Sequence, residues 1–148
     1  MLQVQISSQD SDLLNVRLYQ NPLGYVLLSN TREPIHRIIL SRSLGRPLAK
    51  HEIVDHIDRN PRNNERSNLR LATYAQNSRN RGRHRRNTTG YKGVSVEKRS
   101  GNYSSHIMFE GTSIRIGTFN DPAHAAWMYD QWATELHGEF AVLNFEYV

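Results

Sequence analysis

Polar and apolar positions along the chain change period several times, and each change marks a segment. Gln3–Ile6, Asn15–Tyr19 and Gly24–Leu28 are short β-prone runs, with Asn21-Pro22 and Gly24 marking a turn between the last two. They predict a small hairpin layer with no chemistry of its own. Ile35, Ile38 and Ile39 then recur at helical spacing, opened by Pro34 and closed by Gly45 ahead of Pro47. Glu52–His56 reads as a strand, Asp58-Arg59-Asn60-Pro61 as a turn that Asn63 and Asn64 prolong, and Asn68–Leu71 as a second strand with Leu69 and Leu71 inward. Thr73 is placed to N-cap a helix through Ala75, Asn77 and Asn80. This ββα unit is too small to hold itself together by burial alone.

Beyond Thr88 the period is two. Tyr91–Glu97 sets Val94 and Val96 on one face against Ser95 and Glu97. Asn102–Phe109 sets Tyr103, Ile107 and Phe109 against Ser104, His106 and Met108, and Ser113–Thr118 sets Ile114 and Ile116 against Ser113 and Arg115. Ser100-Gly101-Asn102 and Glu110-Gly111 are the turns. Asp121 caps a helix with Pro122 at its first position, and Ala125, Ala126, Tyr129, Trp132, Ala133 and Leu136 give it a broad apolar stripe up to Gly138. Three antiparallel strands with one helix across a single face satisfy that pattern. The fold class expected is α+β, with residues 1–81 as one domain, 82–89 as a basic linker and 90–148 as a second domain.

A chain of 148 residues suffices for one ordinary domain or two small ones. A net charge of +5 and a pI near 9.8 make a polyanionic partner plausible without requiring one. With no cysteine there is no disulfide framework, thiolate zinc site or cysteine nucleophile. The first residues lack an apolar h-region and no run approaches membrane-spanning length, so a soluble protein of the cytoplasm with no membrane partner is expected.

The chemistry concentrates between Val54 and Asn80, VDHIDRNPRNNERSNLRLATYAQNSRN. Asp55 offers a charged oxygen and Asn77 a neutral carbonyl oxygen; two hard donors, with other positions left to water and phosphate, suit Mg²⁺ or Mn²⁺ and suit zinc poorly. His56 can take a proton from water near neutral pH without being a ligand, and the Asn68 oxygen, twelve residues on, can accept from its other nitrogen. Read blandly, an asparagine-rich loop is turn chemistry, and Asn60, Asn63, Asn64 and Asn80 are taken as loop and cap groups. His36, at the start of its helix, is taken as structural, and Arg37, Arg42 and Arg46 as solvated helix-surface residues able to touch phosphates.

DHID, then NN, NL and QNxxN at these spacings, with IHRIILSRSLGRPL upstream, resemble the HNH endonucleases, in particular the phage homing branch with a ββα-metal fold, over about residues 32 to 81. The resemblance implies a metal ligand at Asp55, a general base at His56, an orienting residue at Asn68 and a second metal ligand at Asn77. It implies hydrolysis of phosphodiester bonds, with one catalytic unit nicking one strand of double-stranded DNA per binding event; the oligomeric state is unread, a monomer being favoured. YKGV, GNYSSHI, IGTF, AAWMYD and LNF resemble the plant ethylene-response-factor (Apetala-two-type) DNA-binding domain over about residues 89 to 145. Its sheet enters the major groove. The outward positions matching its contacts are Lys92, Ser95, Glu97, His106, Met108, Ser113 and Arg115, several of which depart from that family's arginines and tryptophans. Lys98 and Arg99 supply charge in the first hairpin loop, and Arg81, Arg83, Arg85 and Arg86 form a basic connector suited to lie along phosphates. The combined expectation is a phage or mobile-element endonuclease acting in a bacterial or phage-infected cell. A DNA-binding regulator with a silent nuclease fold is the reading from another class, and a nuclease acting on RNA or damaged ends is a third.

Overall fold

Proline at position 34 and glycine at 45 bracket the first helix as their backbone preferences demand. In the computed structural model, which describes residues 2–148, α1 runs Ile35–Leu44. Pro34 sits in extended backbone just before it, and Gly45 takes the left-handed conformation (φ 67°) while its N–H bonds Arg42 O. Ile35, Ile39 and Leu40 bury one face against Leu13, Val26, Val54 and Leu69, which together form the core of the first of two compact units, Met1–Asn77 and Ser78–Val148.

Around α1 the first unit is built from small pairings. β1 (Gln5–Ile6) pairs in parallel with β5 (Asn63–Asn64), and β2 (Leu18–Gln20) with β3 (Val26–Leu28) in an antiparallel hairpin. β4 (Ile53–His56) runs antiparallel to β6 (Leu69–Ala72), with Asp55 opposite Arg70 and His56 opposite Leu69. α2 (Tyr74–Arg79) follows at once. Its start is a reciprocal capping box, Gln76 N–H donating to Thr73 Oγ1 at 3.2 Å and Thr73 N–H to Gln76 Oε1 at 2.8 Å. The expected first strand is therefore too long and wrongly partnered: only Gln5 and Ile6 pair, and with the distant loop at Asn63. Ser8–Asn15, overlapping the expected Asn15–Tyr19 strand, is instead a 3-10 helix.

That turn carries Asp10, which is wholly buried. Arg66 Nε donates to its Oδ2 at 2.7 Å and Arg42 Nη1 to its Oδ1 at 3.3 Å, so one carboxylate joins the N-terminal segment, α1 and the turn before β6. The two guanidiniums hold the Asp10 carboxyl below its ordinary range, the Arg66 hydrogen bond most strongly. Arg37 and Arg46 are likewise engaged inside the unit: Arg37 donates to Glu52 O and Ala49 O, and Arg46 to the Glu52 carboxylate. These arginines are structural staples, not solvated phosphate contacts.

The second unit is a three-stranded antiparallel sheet, β7 (Val94–Val96), β8 (Tyr103–Phe109) and β9 (Thr112–Phe119), with α3 (Pro122–His137) packed on it. Asp121 accepts from the N–H groups of Ala123 and His124, and Pro122 takes the first helical position. The β8–β9 register jumps between Ser105, opposite Gly117, and His106, opposite Arg115, so Ile116 of β9 is the extra residue of a bulge. Ser104 and Ser105 are both buried, although Ser104 is expected outward. Val96 (45 % exposed) and Trp132 (37 %) also lie nearer the surface than their period suggests. Gly93, at φ 76°, has no room for a side chain, since a Cβ there would lie 2.1 Å from the Tyr129 ring. Asp130, on α3 and fully buried, accepts from the N–H groups of Asn144 and Phe145 and from the Tyr147 hydroxyl, binding the C-terminal segment to the helix.

Removing the buried carboxylate strands Arg42 and Arg66 and unties three segments at once. Asp10→Ala is expected to lower the unfolding free energy by about 3 kcal/mol, the lower end for breaking a buried ion pair. Asp12→Ala, whose exposed carboxylate also meets Arg42, should cost far less, because solvent screens that pair. Urea unfolding of the two variants measures the contrast.

Candidate active site

Strand alternation separates the two neighbours at the heart of the segment. Val54 and His56 turn toward the α1 core, whereas Asp55 and Arg70 form a cross-strand pair on the opposite face of the hairpin. Asp55 is 3 % exposed, and Arg70 Nε donates to its Oδ2 at 2.8 Å.

His56 is 6 % exposed and lies among rings. Its centroid is 5.2 Å from that of His36, which meets it edge-on, and 6.1 Å from that of Tyr25. Burial pushes the His56 imidazole below its ordinary pKa, so the ring is neutral at pH 7. Its Nε2 lies 3.2 Å from Asn64 Oδ1. The Asn64 amide is itself oriented, because its Nδ2 donates to Pro61 O, a group that can only accept. Oδ1 therefore faces the imidazole, Nε2 must carry the proton, and Nδ1 is the basic nitrogen of the neutral ring.

This corrects the expected role of Asn68. Its Oδ1 accepts from Asp58 N–H at 3.0 Å, and its Nδ2 donates to Asp58 Oδ1 and to Asn63 O. Asn68 thus shapes the loop between the strands, and Asn64, expected only as a loop group, is the amide on the histidine. Position gives the reason: Asn68 lies just before β6 with its polar group turned into the loop, whereas β5 carries Asn64, wholly buried, up to the ring. The doublet Asn63-Asn64 was the available signal, but both residues have the composition of a turn. Asn77 is half-buried on α2, and its side-chain amide makes no hydrogen bond among the described residues. No three His, Cys, Asp or Glu among the described residues gather in a way that could hold a metal. The two residues expected to hold a cation, the Asp55 carboxylate and the Asn77 amide, are hard-oxygen donors of the kind Mg²⁺ or Mn²⁺ takes.

The expected DNA-contacting residues divide. Arg81, Arg83, Arg85, Arg86, Lys98 and Arg99 are exposed, although Arg83 also donates to Gly90 O at 2.6 Å. Lys92 is half-buried, its Nζ donating to Arg79 O at 2.8 Å and lying 6.0 Å from the centre of the Tyr129 ring, so its charge serves the unit's interior. Arg115 is bonded to Glu97 and Thr118, and His106 Nδ1 lies 3.3 Å from Ser104 Oγ.

The segment holding this geometry, residues 33–79, matches the HNH endonuclease family model. The chain is also 34 % identical over 110 residues to Protein 3.8 of Escherichia phage T7, covering 74 % of this chain and 90 % of that protein. Residues 33–79 are an HNH endonuclease family domain. A further relative, an uncharacterized HNH endonuclease of Acanthamoeba polyphaga mimivirus, is 36 % identical over 110 residues, and the match spans 74 % of this chain but only 56 % of that protein. Asp55, His56, Asn64, Asn68 and Asn77 all lie within the matched segment. No helix among the described residues is long and apolar enough to cross a membrane.

His36 adds a pH dependence. Burial, with the neighbouring His56 and Arg37, pushes it down to about 3 from 6.5, and its Nδ1 is buried with no partner. Its folded pKa lies below its unfolded one, so its contribution to stability is complete above pH 6.5 and is lost as pH falls toward 3. By pH 5 the loss from His36 alone is about 2 kcal/mol, with His56 adding in the same direction. Urea unfolding at pH 7.5 and 5.0 should show this loss, and His36→Phe should shrink it.

Proposed function

We propose that this HNH chain is a metal-dependent DNA endonuclease of the phage homing type that nicks double-stranded DNA, working in the cytoplasm of a bacterial or phage-infected cell. The observation that carries the reading is the buried, neutral His56, held through Nε2 by Asn64 so that Nδ1 is basic, on the same strand as Asp55 and inside the family segment. His56 Nδ1 takes the proton of the attacking water. Asn64 keeps the ring in one tautomer and orientation, and Asn68 keeps the loop that carries Asn64. Asp55 and Asn77 hold Mg²⁺ or Mn²⁺, which when bound stabilises charge on the phosphoryl oxygens and the departing sugar oxygen.

In this reading residues 1–81 are a ββα-metal nuclease domain, 82–89 a basic linker and 90–148 an ethylene-response-factor-like domain that binds duplex DNA. The exposed Arg81, Arg83, Arg85, Arg86, Lys98 and Arg99 serve the phosphates. Arg115 and His106 lie on the sheet strands, while Lys92 contributes to the fold that presents them. One such site per chain cuts one strand per encounter.

Purified protein with Mg²⁺ should convert supercoiled plasmid to open circles. His56→Ala should slow this by about 10²–10⁴-fold, the range for loss of a general base, while gel-shift binding persists. Undiminished nicking by that variant would remove His56 as the base. Asn64→Ala should slow nicking by about 10–100-fold, as expected for a partner that orients a site imidazole; an unchanged rate would leave Asn64 a purely architectural residue.

A further inference from the structure

Arg70 stands directly opposite Asp55 in the β4–β6 register, with Nε 2.8 Å from Oδ2. The two side chains are 13 % and 4 % exposed, so the pair is withdrawn from the water and salt that screen surface ion pairs. A guanidinium bonded to the carboxylate that is to receive a cation acts in two ways. It compensates and orients the buried charge when no cation is present, and it repels the cation when one arrives. We propose that Arg70 is the counter-ion that Asp55 shares with the divalent cation, and that it sets the cation affinity of the site. The inference rests on the reading of Asp55 as a metal ligand. Arg70 is then a positioning residue acting through Asp55, which keeps the site ordered and its cation exchangeable.

The test is Mn²⁺ binding at pH 8, read from the spin-resonance signal of the free ion, for the full chain and three variants. Arg70→Gln is neutral but keeps a donor for Asp55, and it should bind Mn²⁺ at least about tenfold more tightly; a unit charge about 6 Å from a divalent ion is worth that much even at the dielectric constant of water. Arg70→Lys keeps the charge and should stay within about threefold of wild type. Equal or weaker binding by Arg70→Gln overturns the proposal. Should that variant not fold, the wild-type chain decides: Mg²⁺ titration should shift the Arg70 Nε–H resonance and speed its exchange with water, and a resonance unmoved at saturation overturns the proposal. Asp55→Asn separates the two readings. Mn²⁺ binding that ignores this change removes the metal assignment and this inference together, whereas binding that needs Asp55 but is indifferent to residue 70 removes this inference alone.

Discussion

The hydrogen bond between His56 Nε2 and Asn64 Oδ1 is the contact on which the first unit's arrangement converges. It is short-range in space but spans two elements, a strand and the far side of a loop, so everything that fixes the loop also fixes the imidazole. Pro61 O orients the Asn64 amide, Asn68 ties Asp58 to Asn63, and Gln5 N–H reaches Arg62 O at 2.9 Å through the parallel β1–β5 pair. Ser7 Oγ accepts from Arg66 N–H, one turn before β6. The N-terminal residues thus brace the buried imidazole. A histidine that must be both buried and correctly turned needs this second layer, because burial alone would leave its ring free to choose the other tautomer.

The electrostatic organisation follows the same division between internal and external use. Asp10, Asp55 and Glu52 each hold an arginine of the first unit, namely Arg42 and Arg66, Arg70, and Arg46. Those guanidiniums are already ion-paired, so counting them toward attraction of a polyanion overstates the first unit's field. Lys92 and Arg115 are similarly committed in the second unit. Positive groups presented to solvent include those of residues 81–86 and the Lys98-Arg99 hairpin loop, together with Arg17, Arg32, Lys50, Arg59 and Arg62 of the first unit.

Elements governed by local rules were legible in the chain. Pro34 and Gly45 bound α1, Thr73 caps α2, Asp121-Pro122 starts α3, and the strands on either side of the Asp58 turn pair with each other. Elements governed by distant partners were not. β1 pairs across 57 intervening residues with Asn63 and Asn64, which nothing in its own glutamine and isoleucine announces. Asp10 sits in a polar run that reads as solvated, yet it is wholly buried because two arginines more than thirty residues away neutralise it. The bulge between β8 and β9 leaves Ile116 unpaired beside Gly117, and a lone glycine in a strand does not say where the register will jump. Residue types and spacing drew attention to Asp55, His56, Asn68 and Asn77, whereas the choice between two asparagines for the imidazole depends on where a buried loop puts each one, and spacing does not encode that.

Asp130 has a consequence for how the second unit is bounded. Its carboxylate fixes Asn144, whose side chain in turn accepts from Lys92 N–H and donates to Lys92 O. Residues 92 and 144 are thereby stitched into adjacent backbone, so the chain enters and leaves the sheet-and-helix body at one place. A body with neighbouring entry and exit points can be spliced into a surface turn of another protein, or have its ends joined and reopened elsewhere, with linkers of only a few residues.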